Sequence, residues 1–366
     1  MARFIESLKI ARCPGASASP YRPKSLPMQN AGTWIPDLLE FPRISGVRHF
    51  FPLLSCPFFH AAIWYTDTMN TMHSNKQLHI PEEIDLESTL FSGQCFSWYR
   101  MEGGYLACIE QTAAYLNIES RTLFWEGALD AAYWTRYFDM ARDYQNVFLP
   151  FKDDAFIQKA YAQYGGMRIL NQPVWETLCA FIISANNNIK RITNIMTHLR
   201  AQLGTPHCIQ GRTVSAFPDA AAIIRTGEHS LRELGLGYRA AYLYETARRV
   251  EDSFDLAALP HMGYEAALKA LVELPGVGEK VADCVLLFSC GYSRAFPVDV
   301  WVKRVMRVLY GASGSNAAIK AKGYACFGED AGIVQQILFH AARMGLFPAL
   351  DEDSAAPPNI QPPLSL

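Results

Sequence analysis

Lys280 and Asp299 are the two residues of this chain whose types and surroundings best suit chemistry. Lys280 follows the loop Leu-Pro-Gly-Val-Gly and lies in an apolar segment that predicts a helix, with Cys284 one turn further along the same face. Burial near a helix N-terminus favours the neutral amine, which is the nucleophilic form of lysine. Asp299 could stabilise a developing positive charge beside that amine, or transfer protons. The pair therefore indicates a nucleophilic amine assisted by a carboxylate.

Both residues also have ordinary structural interpretations. Lys280 could be a solvated surface lysine. Asp299 directly precedes an amphipathic segment, where aspartate is a favoured N-cap. The buried stripe of that segment is predicted to consist of Val302, Val305, Met306 and Leu309. Neither residue is decisive alone, and the pair gains weight from the hairpin that precedes it.

The hairpin is predicted from helical patterns on both sides of the Leu-Pro-Gly-Val-Gly loop. The loop is predicted to be too tight for residues with a β-carbon at both Gly276 and Gly278. Free amides at the start of the second helix would form a cradle for a phosphate group. A phosphate contact of this kind positions a DNA duplex without reading its sequence. An ordinary glycine-rich corner between two helices is the alternative, because short glycine motifs often arise by chance.

The surrounding elements predict an α+β fold. Short aromatic and β-branched runs between about residue 81 and residue 126 are typical of an antiparallel meander. After Leu129 the apolar residues follow helical spacing, in the stripe Tyr133, Tyr137 and Met140 and in the stripe Ile157, Ala160 and Tyr164. Helices joined by short loops are predicted as far as Leu346. We therefore predict a sheet-containing N-terminal domain over 76–165 and a mostly helical, helix–hairpin–helix domain over 166–350. A disordered or dispensable extension is predicted over 1–75 and a disordered tail over 351–366.

Composition limits the classes of function. The 366 residues carry a net charge of −2, so a nucleic-acid surface must be a local basic patch. The nine cysteines include no C-x-x-C pair, which indicates neither a zinc site nor a disulfide framework. The apolar run near residues 49–65 is broken by Pro52 and Pro57, so no membrane span is expected. The first residues resemble a transit peptide only weakly, and a start at Met69 or Met72 is the simpler interpretation.

Several spaced motifs resemble the 8-oxoguanine DNA glycosylase/AP-lyase family of the helix–hairpin–helix DNA glycosylase superfamily. The hairpin and the Val-Asp pair that follows it are typical of the superfamily. The narrower resemblance rests on four further stretches, which are SGQCFSW (92–98), SANNNIKRI (184–192), LRELGLGYRAAY (231–242) and AGIVQQILF (331–339). The resemblance covers roughly residues 80–346.

The resemblance implies a role for each matching residue. Lys280 would attack the deoxyribose C1′ and form a Schiff base, assisted by Asp299. In the base pocket, Gly93 would accept from the N7–H of 8-oxoguanine, Gln335 would read the Watson–Crick edge, and Phe339 and Cys284 would sandwich the ring. On the DNA, Asn186, Arg191 and Arg239 would hold the orphaned cytosine, Tyr238 would wedge into the stack, and Gly276 and Gly278 would approach the backbone. Core packing for Phe339 and Cys284, a loop anchor for Tyr238 and a helix cap for the asparagines remain alternatives.

The chain departs from the family pattern at one site position. Trp301 stands where many family members carry histidine, and an indole cannot donate a charge-assisted bond to phosphate. The four-cysteine cluster of endonuclease III relatives has no counterpart, so we expect no iron–sulfur cluster and no other cofactor. A structural monovalent cation at the hairpin carbonyls is compatible with the resemblance. The basic patch is expected from Lys190, Arg191, Arg239, Arg248, Arg249, Lys303, Arg304 and Arg307.

The implied function is that of a bifunctional base-excision repair enzyme. It would remove 8-oxoguanine opposite cytosine from duplex DNA and nick the abasic strand by β-elimination. We expect a monomer that works at the nucleoid in a bacterium or in the nucleus of a eukaryote. One alternative is a glycosylase of the same fold for another damaged base. The other is a non-catalytic DNA-binding module, which would have no need of a lysine and an aspartate at this spacing.

Overall fold

The structure is a computed structural model and describes residues 76–352. The first of these residues form a five-stranded antiparallel sheet. Its strand order is β1-β5-β4-β3-β2, and every neighbouring pair is antiparallel. The strands are β1 (Gln77–His79), β2 (Trp98–Met101), β3 (Gly104–Ile109), β4 (Thr112–Asn117) and β5 (Thr122–Glu126). The predicted meander is therefore confirmed. One face of the sheet packs on an aromatic cluster that includes Trp98, Trp125 and Trp134.

A second, two-stranded sheet was not predicted. Strands β6 (Pro206–Ile209) and β7 (Arg212–Ser215) form a hairpin inside the domain predicted to be mostly helical. Gln210 and Gly211 both adopt positive φ in its two-residue turn, as such hairpins require. Ile209 and Val214 pack on Cys108 of the large sheet. The signal was weak because each strand has only four residues and the first begins with a proline.

Helices make up most of the remaining structure. They are α1 (Leu86–Phe91), α2 (Ala131–Tyr137), α3 (Tyr144–Phe148), α4 (Ala155–Tyr164), α5 (Val174–Ile183), α6 (Ile189–Leu203), α7 (Ala220–Leu231), α8 (Arg239–Asp252), α9 (Tyr264–Val272), α10 (Glu279–Ser289), α11 (Val300–Tyr310), α12 (Asn316–Phe327), α13 (Ala331–Arg343) and α14 (Ala349–Glu352). The α+β fold class is confirmed. None of these helices is long and apolar enough to cross a membrane.

The stripe Ile157, Ala160 and Tyr164 is buried as predicted, whereas the stripe Tyr133, Tyr137 and Met140 is only partly helical. Ile157, Ala160 and Tyr164 are all buried on α4. Helix α2 ends at Tyr137, before Met140, because Asp139 takes a positive φ that a helix cannot continue. Helices α3 and α4 pack into the large helical core rather than onto the sheet.

The predicted hairpin forms between α9 and α10. Buried Ala267 and Leu271 on α9 face the same core as Val281 and Val285 on α10. A short connection then leads to α11, which Asp299 begins as its N-cap. The predicted N-terminal extension lies outside the described residues. So does the predicted tail beyond Glu352, the last residue of α14.

Candidate active site

Lys280 lies in the first turn of α10, where its side chain is half-buried. Its Nζ donates to Ser184 Oγ at 3.1 Å and lies 5.1 Å from the centroid of the Phe181 ring. Ser184 in turn donates to the carbonyl of Phe181 at 2.6 Å, which fixes the hydroxyl. The amine thus has two neutral neighbours, the Ser184 hydroxyl and the Cys284 thiol, and lies near the face of an aromatic ring.

Asp299 is the N-cap of α11, as the sequence predicted. Its carboxylate accepts from the amide of Val302 at 2.8 Å. Burial raises the pKa of Asp299, while the Val302 amide, the Lys280 ammonium and the Arg343 guanidinium each lower it. The carboxylate therefore interacts electrostatically with Lys280, yet no ion pair joins the two among the described side chains. The structure brings the predicted pair together and leaves the amine uncommitted.

Cys284 and Lys280 lie on the same face of α10. Burial raises the pKa of the Cys284 thiol to about 12, although the nearby Lys280 ammonium opposes the shift. The thiol is 3% exposed, so Cys284 presents a neutral, apolar surface beside the amine.

Gly93 adopts φ +94, in the region that favours glycine. A β-carbon built on Gly93 would lie 2.5 Å from Ile189 Cδ1 and 3.7 Å from Arg343 Nη1. The backbone therefore passes close to the start of α6 and to the end of α13. Only a very small residue therefore fits at this position.

Helix α13 carries the other predicted base contacts. Gln335 is 4% exposed, and its Oε1 has no hydrogen-bond partner within residues 76–352. The neighbouring Gln336 is equally buried, and its Nε2 donates to Ser92 Oγ at 3.4 Å. Gln335 and Phe339 line a cavity of about 180 Å³ whose other walls are apolar side chains, including Phe296 and Met306.

The predicted contacts to the opposite strand meet at the loop between α5 and α6. Tyr238 is 47% exposed and donates to the carbonyl of Ala185 at 3.2 Å. Asn186 is exposed with a left-handed φ of 48°, and its Nδ2 donates to the Tyr238 hydroxyl at 3.4 Å. Arg191 is also exposed, in the first turn of α6. This loop and Tyr238 form one exposed, polar surface.

Arg239 differs from its neighbours because it is only 3% exposed. Its guanidinium donates to the carbonyls of Ala185 at 2.7 Å and of Asn186 at 2.8 Å. It also donates to the carbonyl of Leu236 at 3.4 Å. In this conformation Arg239 holds the loop that presents Asn186, and its contact with a cytosine stays a prediction.

The expectation for the hairpin glycines is correct at one position and wrong at the other. Gly276 has φ +77, and a β-carbon there would lie 2.7 Å from Tyr242 Cβ. Gly278 has φ −92 and no atom within 4 Å of a β-carbon, so other residues could adopt its conformation. The prediction failed at Gly278 because that residue is already the extended N-cap of α10. No side chain within residues 76–352 caps this helix start, which leaves its first amides accessible.

Two site residues were missed from the sequence, Ser184 and Arg343. Ser184 follows α5 and could be recognised only from its contact with Lys280. Arg343 lies one helical turn beyond Phe339, and its guanidinium carbon is 5.5 Å from the centroid of that ring. The signal for Arg343 was the i, i+4, i+8 spacing of Gln335, Phe339 and Arg343 on one helix.

Two family models match adjacent parts of the chain. Residues 77–178 match the 8-oxoguanine DNA glycosylase N-terminal domain, and residues 179–324 match the HhH-GPD superfamily of base excision DNA repair proteins. A probable N-glycosylase/DNA lyase of Methanothermobacter thermautotrophicus is 30% identical over 302 residues, covering 73% of this chain and 96% of the relative. The chain belongs to the 8-oxoguanine DNA glycosylase family.

Further comparisons agree with membership of the 8-oxoguanine DNA glycosylase family. The N-glycosylase/DNA lyase of Saccharomyces cerevisiae is 37% identical over 190 residues, which cover 48% of this chain and 50% of the relative. The Clostridium acetobutylicum 8-oxoguanine glycosylase/lyase, solved with double-stranded DNA containing cytosine opposite 8-oxoguanine, is similar in structure with a TM-score of 0.68. That likeness has 31% identity and covers 73% of this chain and 94% of the other. The prediction of the family is confirmed.

Proposed function

We propose that this enzyme excises 8-oxoguanine opposite cytosine from duplex DNA and then nicks the abasic strand. The observation that carries the proposal is the arrangement of Lys280 and Asp299 around the start of α10, close enough to interact but not joined as an ion pair. An amine in this state can attack an electrophilic carbon, whereas an amine locked in an ion pair cannot. Relatives named N-glycosylase/DNA lyase support both halves of the activity.

In the proposed reaction the nitrogen of Lys280 forms a bond to C1′ of the damaged nucleotide. The bond from C1′ to N9 breaks, and its electron pair leaves with the base. Asp299 stabilises positive charge that develops on the sugar. Ring opening then produces a Schiff base between Lys280 and the sugar, and β-elimination of the 3′ phosphate nicks the strand.

We propose that the flipped base binds between Gly93, Gln335, Phe339 and Cys284. The carbonyl of Gly93 would accept the N7–H that 8-oxoguanine has and guanine lacks. The unpartnered Oε1 of Gln335 supports a contact with a donor on the base, because a buried amide oxygen without a partner is rare. Phe339 and the neutral thiol of Cys284 would cover the two faces of the ring.

The exposed loop between α5 and α6 is proposed to face the orphaned cytosine. Tyr238 would fill the gap left by the flipped base, and Asn186 and Arg191 would contact the unpaired partner. Arg239 would act first by holding this loop. The accessible amides at the start of α10, next to Gly276 and Gly278, would bind the DNA backbone.

The proposed chemistry uses no cofactor, because an amine and a carboxylate carry out each step. A monovalent cation at the hairpin would have a structural role only. Three hairpin carbonyls already accept hydrogen bonds, Glu273 from Arg249 at 2.6 Å, Leu274 from Val277 at 3.1 Å and Pro275 from Thr246 at 3.0 Å. Each oxygen keeps a second lone pair, so this donor set fits a monovalent cation that stiffens the loop. We further propose a monomer that acts on chromosomal DNA, at the nucleoid or in the nucleus.

Borohydride trapping tests the proposal. A labelled duplex with one 8-oxoguanine opposite cytosine is incubated with wild type, Lys280→Gln and Lys269→Gln under borohydride. Lys269 is an exposed lysine of α9 and serves as the matched control. A covalent adduct is expected with wild type and Lys269→Gln, and none with Lys280→Gln.

The other outcomes separate the alternatives. Base loss without any adduct would mean that water is the nucleophile and that Asp299 is the central residue. Binding without base loss, on a panel of damaged bases, would identify a non-catalytic DNA-binding module. Activity on another lesion, with none on 8-oxoguanine, would reassign the substrate within the same fold.

A further inference from the structure

Arg343 joins the two predicted halves of the active site. From the last turn of α13 its Nη1 donates to the carbonyl of Ser92 at 3.3 Å. The guanidinium also covers the ring of Phe339 and lies beside the Cα of Gly93. Arg343 therefore lies next to Phe339 and Gly93, two of the residues proposed to hold the damaged base.

The charge of Arg343 interacts with the carboxylate of Asp299. Burial lowers the pKa of Arg343, and the carboxylate of Asp299 raises it. An arginine remains protonated in proteins despite such shifts. Position 301, which follows the catalytic aspartate closely, carries a tryptophan and supplies no charge. Arg343 is thus a cation that contacts the predicted base pocket and interacts electrostatically with Asp299.

Most of the donors of Arg343 are available for a ligand. A guanidinium has five N–H groups, and the carbonyl of Ser92 is the one acceptor that Arg343 reaches within residues 76–352. A purely structural role, in which Arg343 connects α13 to the loop after α1, would need only the hydrogen bond to Ser92. The surplus donors and the half-buried position fit a site that is completed by an oxygen-rich ligand.

We propose that Arg343 binds the C8 carbonyl oxygen of the flipped 8-oxoguanine and stabilises the base as it leaves. This inference rests on the function proposed above. With N7–H of the base on the carbonyl of Gly93, the adjacent C8 oxygen faces the guanidinium that lies beside Gly93. On entry, the base oxygen replaces the carbonyl of Ser92 as the acceptor.

The contact becomes stronger as the reaction proceeds. When the bond from C1′ to N9 breaks, the electron pair stays on the base, and conjugation through C8 shifts negative charge onto the C8 oxygen. Arg343 stabilises that charge without transferring a proton, and the departed base takes its proton from water. Guanine has C8–H at this position, so it would leave the arginine donors unpaired, which disfavours the undamaged base.

The test compares base excision with strand nicking at a preformed abasic site, where no base leaves. In single-turnover experiments Arg343→Gln is expected to lower the excision rate of 8-oxoguanine by about 10²-fold, the usual effect of losing one donor to a developing anion. The nicking rate at an abasic site should change little by comparison. Arg343→Lys should recover part of the excision rate because it restores the charge. Arg225→Gln, at an exposed arginine of α7, is the matched control and should leave both rates unchanged.

Two results would overturn the inference. If Arg343→Gln lowers excision and nicking in parallel, with a lower melting temperature, Arg343 is only a structural strap. If the variant excises 8-oxoguanine at the wild-type rate, the arginine does not contact the leaving base. Failure of the proposed function itself would look different, because wild type would then not excise 8-oxoguanine at all.

Discussion

Helix α10 contributes one residue to each of two lysine–aspartate pairs, Asp283 with Lys320 and Lys280 with Asp299. Only the first pair is closed, which means that its charged groups form an ion pair. On one face Asp283 accepts from Lys320 Nζ at 2.6 Å and from the hydroxyl of Tyr264 at 2.6 Å. The side chains of Lys320 and Asp283 are 12% and 2% exposed. On the other face Lys280 donates to a serine hydroxyl and interacts with Asp299 without forming an ion pair.

The difference between the two pairs suits one of them to stabilising the fold and the other to a chemical reaction. A closed ion pair stabilises the ammonium form of the lysine, so the closed pair keeps its charges and ties α12 to α10. An open pair leaves the lysine able to lose its proton and attack, while the aspartate remains near enough to stabilise positive charge. We therefore expect residues of the same two types to have different roles, because their partners differ.

The largest effect is expected from Lys280→Gln. Removing a covalent nucleophile lowers the rate of base excision by about 10⁴-fold or more. The melting temperature should change little, because Lys280 is half-buried and forms no ion pair among the described residues. Single-turnover kinetics and a thermal melt of the same preparation measure both effects. A large loss of stability would mean that Lys280, like Lys320, has mainly a structural role.

Lys320→Met is expected to have the opposite profile. It leaves Asp283 buried without its cation, which costs about 3–5 kcal/mol of folding free energy. The pKa of Asp283 is raised by burial and lowered by Lys320, so the variant should also take up a proton more readily. Urea unfolding measures the loss, and the double variant Lys320→Met/Asp283→Leu should recover much of it. Excision per folded molecule should stay close to wild type.

Asp299→Asn tests the acidic member of the open pair. Asparagine is as good an N-cap as aspartate, so α11 should keep its start while the negative charge is lost. Excision should fall by about 10²-fold, as when one electrostatic contact to the transition state is removed. In wild type the rate should fall as the pH drops through the raised pKa of Asp299, and the variant should lack that acid limb. An acid limb unchanged in the variant would assign it to another group.

The effect of Asp299→Asn on stability should depend on pH in a direction that the raised pKa of Asp299 determines. Because burial raises the pKa of Asp299, the folded state binds a proton more tightly than the unfolded state. Wild-type stability therefore decreases as the pH rises from the unfolded pKa through the folded pKa. The asparagine variant should be at least as stable as wild type above that window, and the difference should vanish in acid. Thermal melts across the pH range provide the measurement.

The smallest effects are expected from the two hydroxyl partners. Tyr264→Phe removes one donor to Asp283 and should lower stability by about 1–2 kcal/mol without changing excision. Ser184→Ala removes the partner of Lys280 and should lower excision several-fold while stability changes by no more than about 1 kcal/mol. The two variants, compared by urea unfolding and by kinetics, should show opposite profiles. Identical profiles would mean that the two faces of α10 do not differ in function.

Much of the fold was predictable because it depends on local patterns. The aromatic runs of β2 to β5 alternate with turn residues, and the stripes of α4, α10 and α11 repeat at helical spacing. The β6–β7 hairpin was missed because it is stabilised by packing on Cys108 of the large sheet rather than by its own sequence. Gly278 was misjudged because its conformation depends on where α10 begins.

The sequence by itself determined the sheet and helix order, the hairpin, and the presence of Lys280 and Asp299 at helix starts. These features follow from residue type and spacing, which act over a few neighbours along the chain. Only the tertiary structure decided which lysine is closed in an ion pair, since Lys320 reaches Asp283 across two packed helices. It also decided that the guanidinium of Arg239 is buried on a loop and that Arg343 lies beside Gly93. Contacts between distant segments depend on how the helices pack, and no local pattern specifies that.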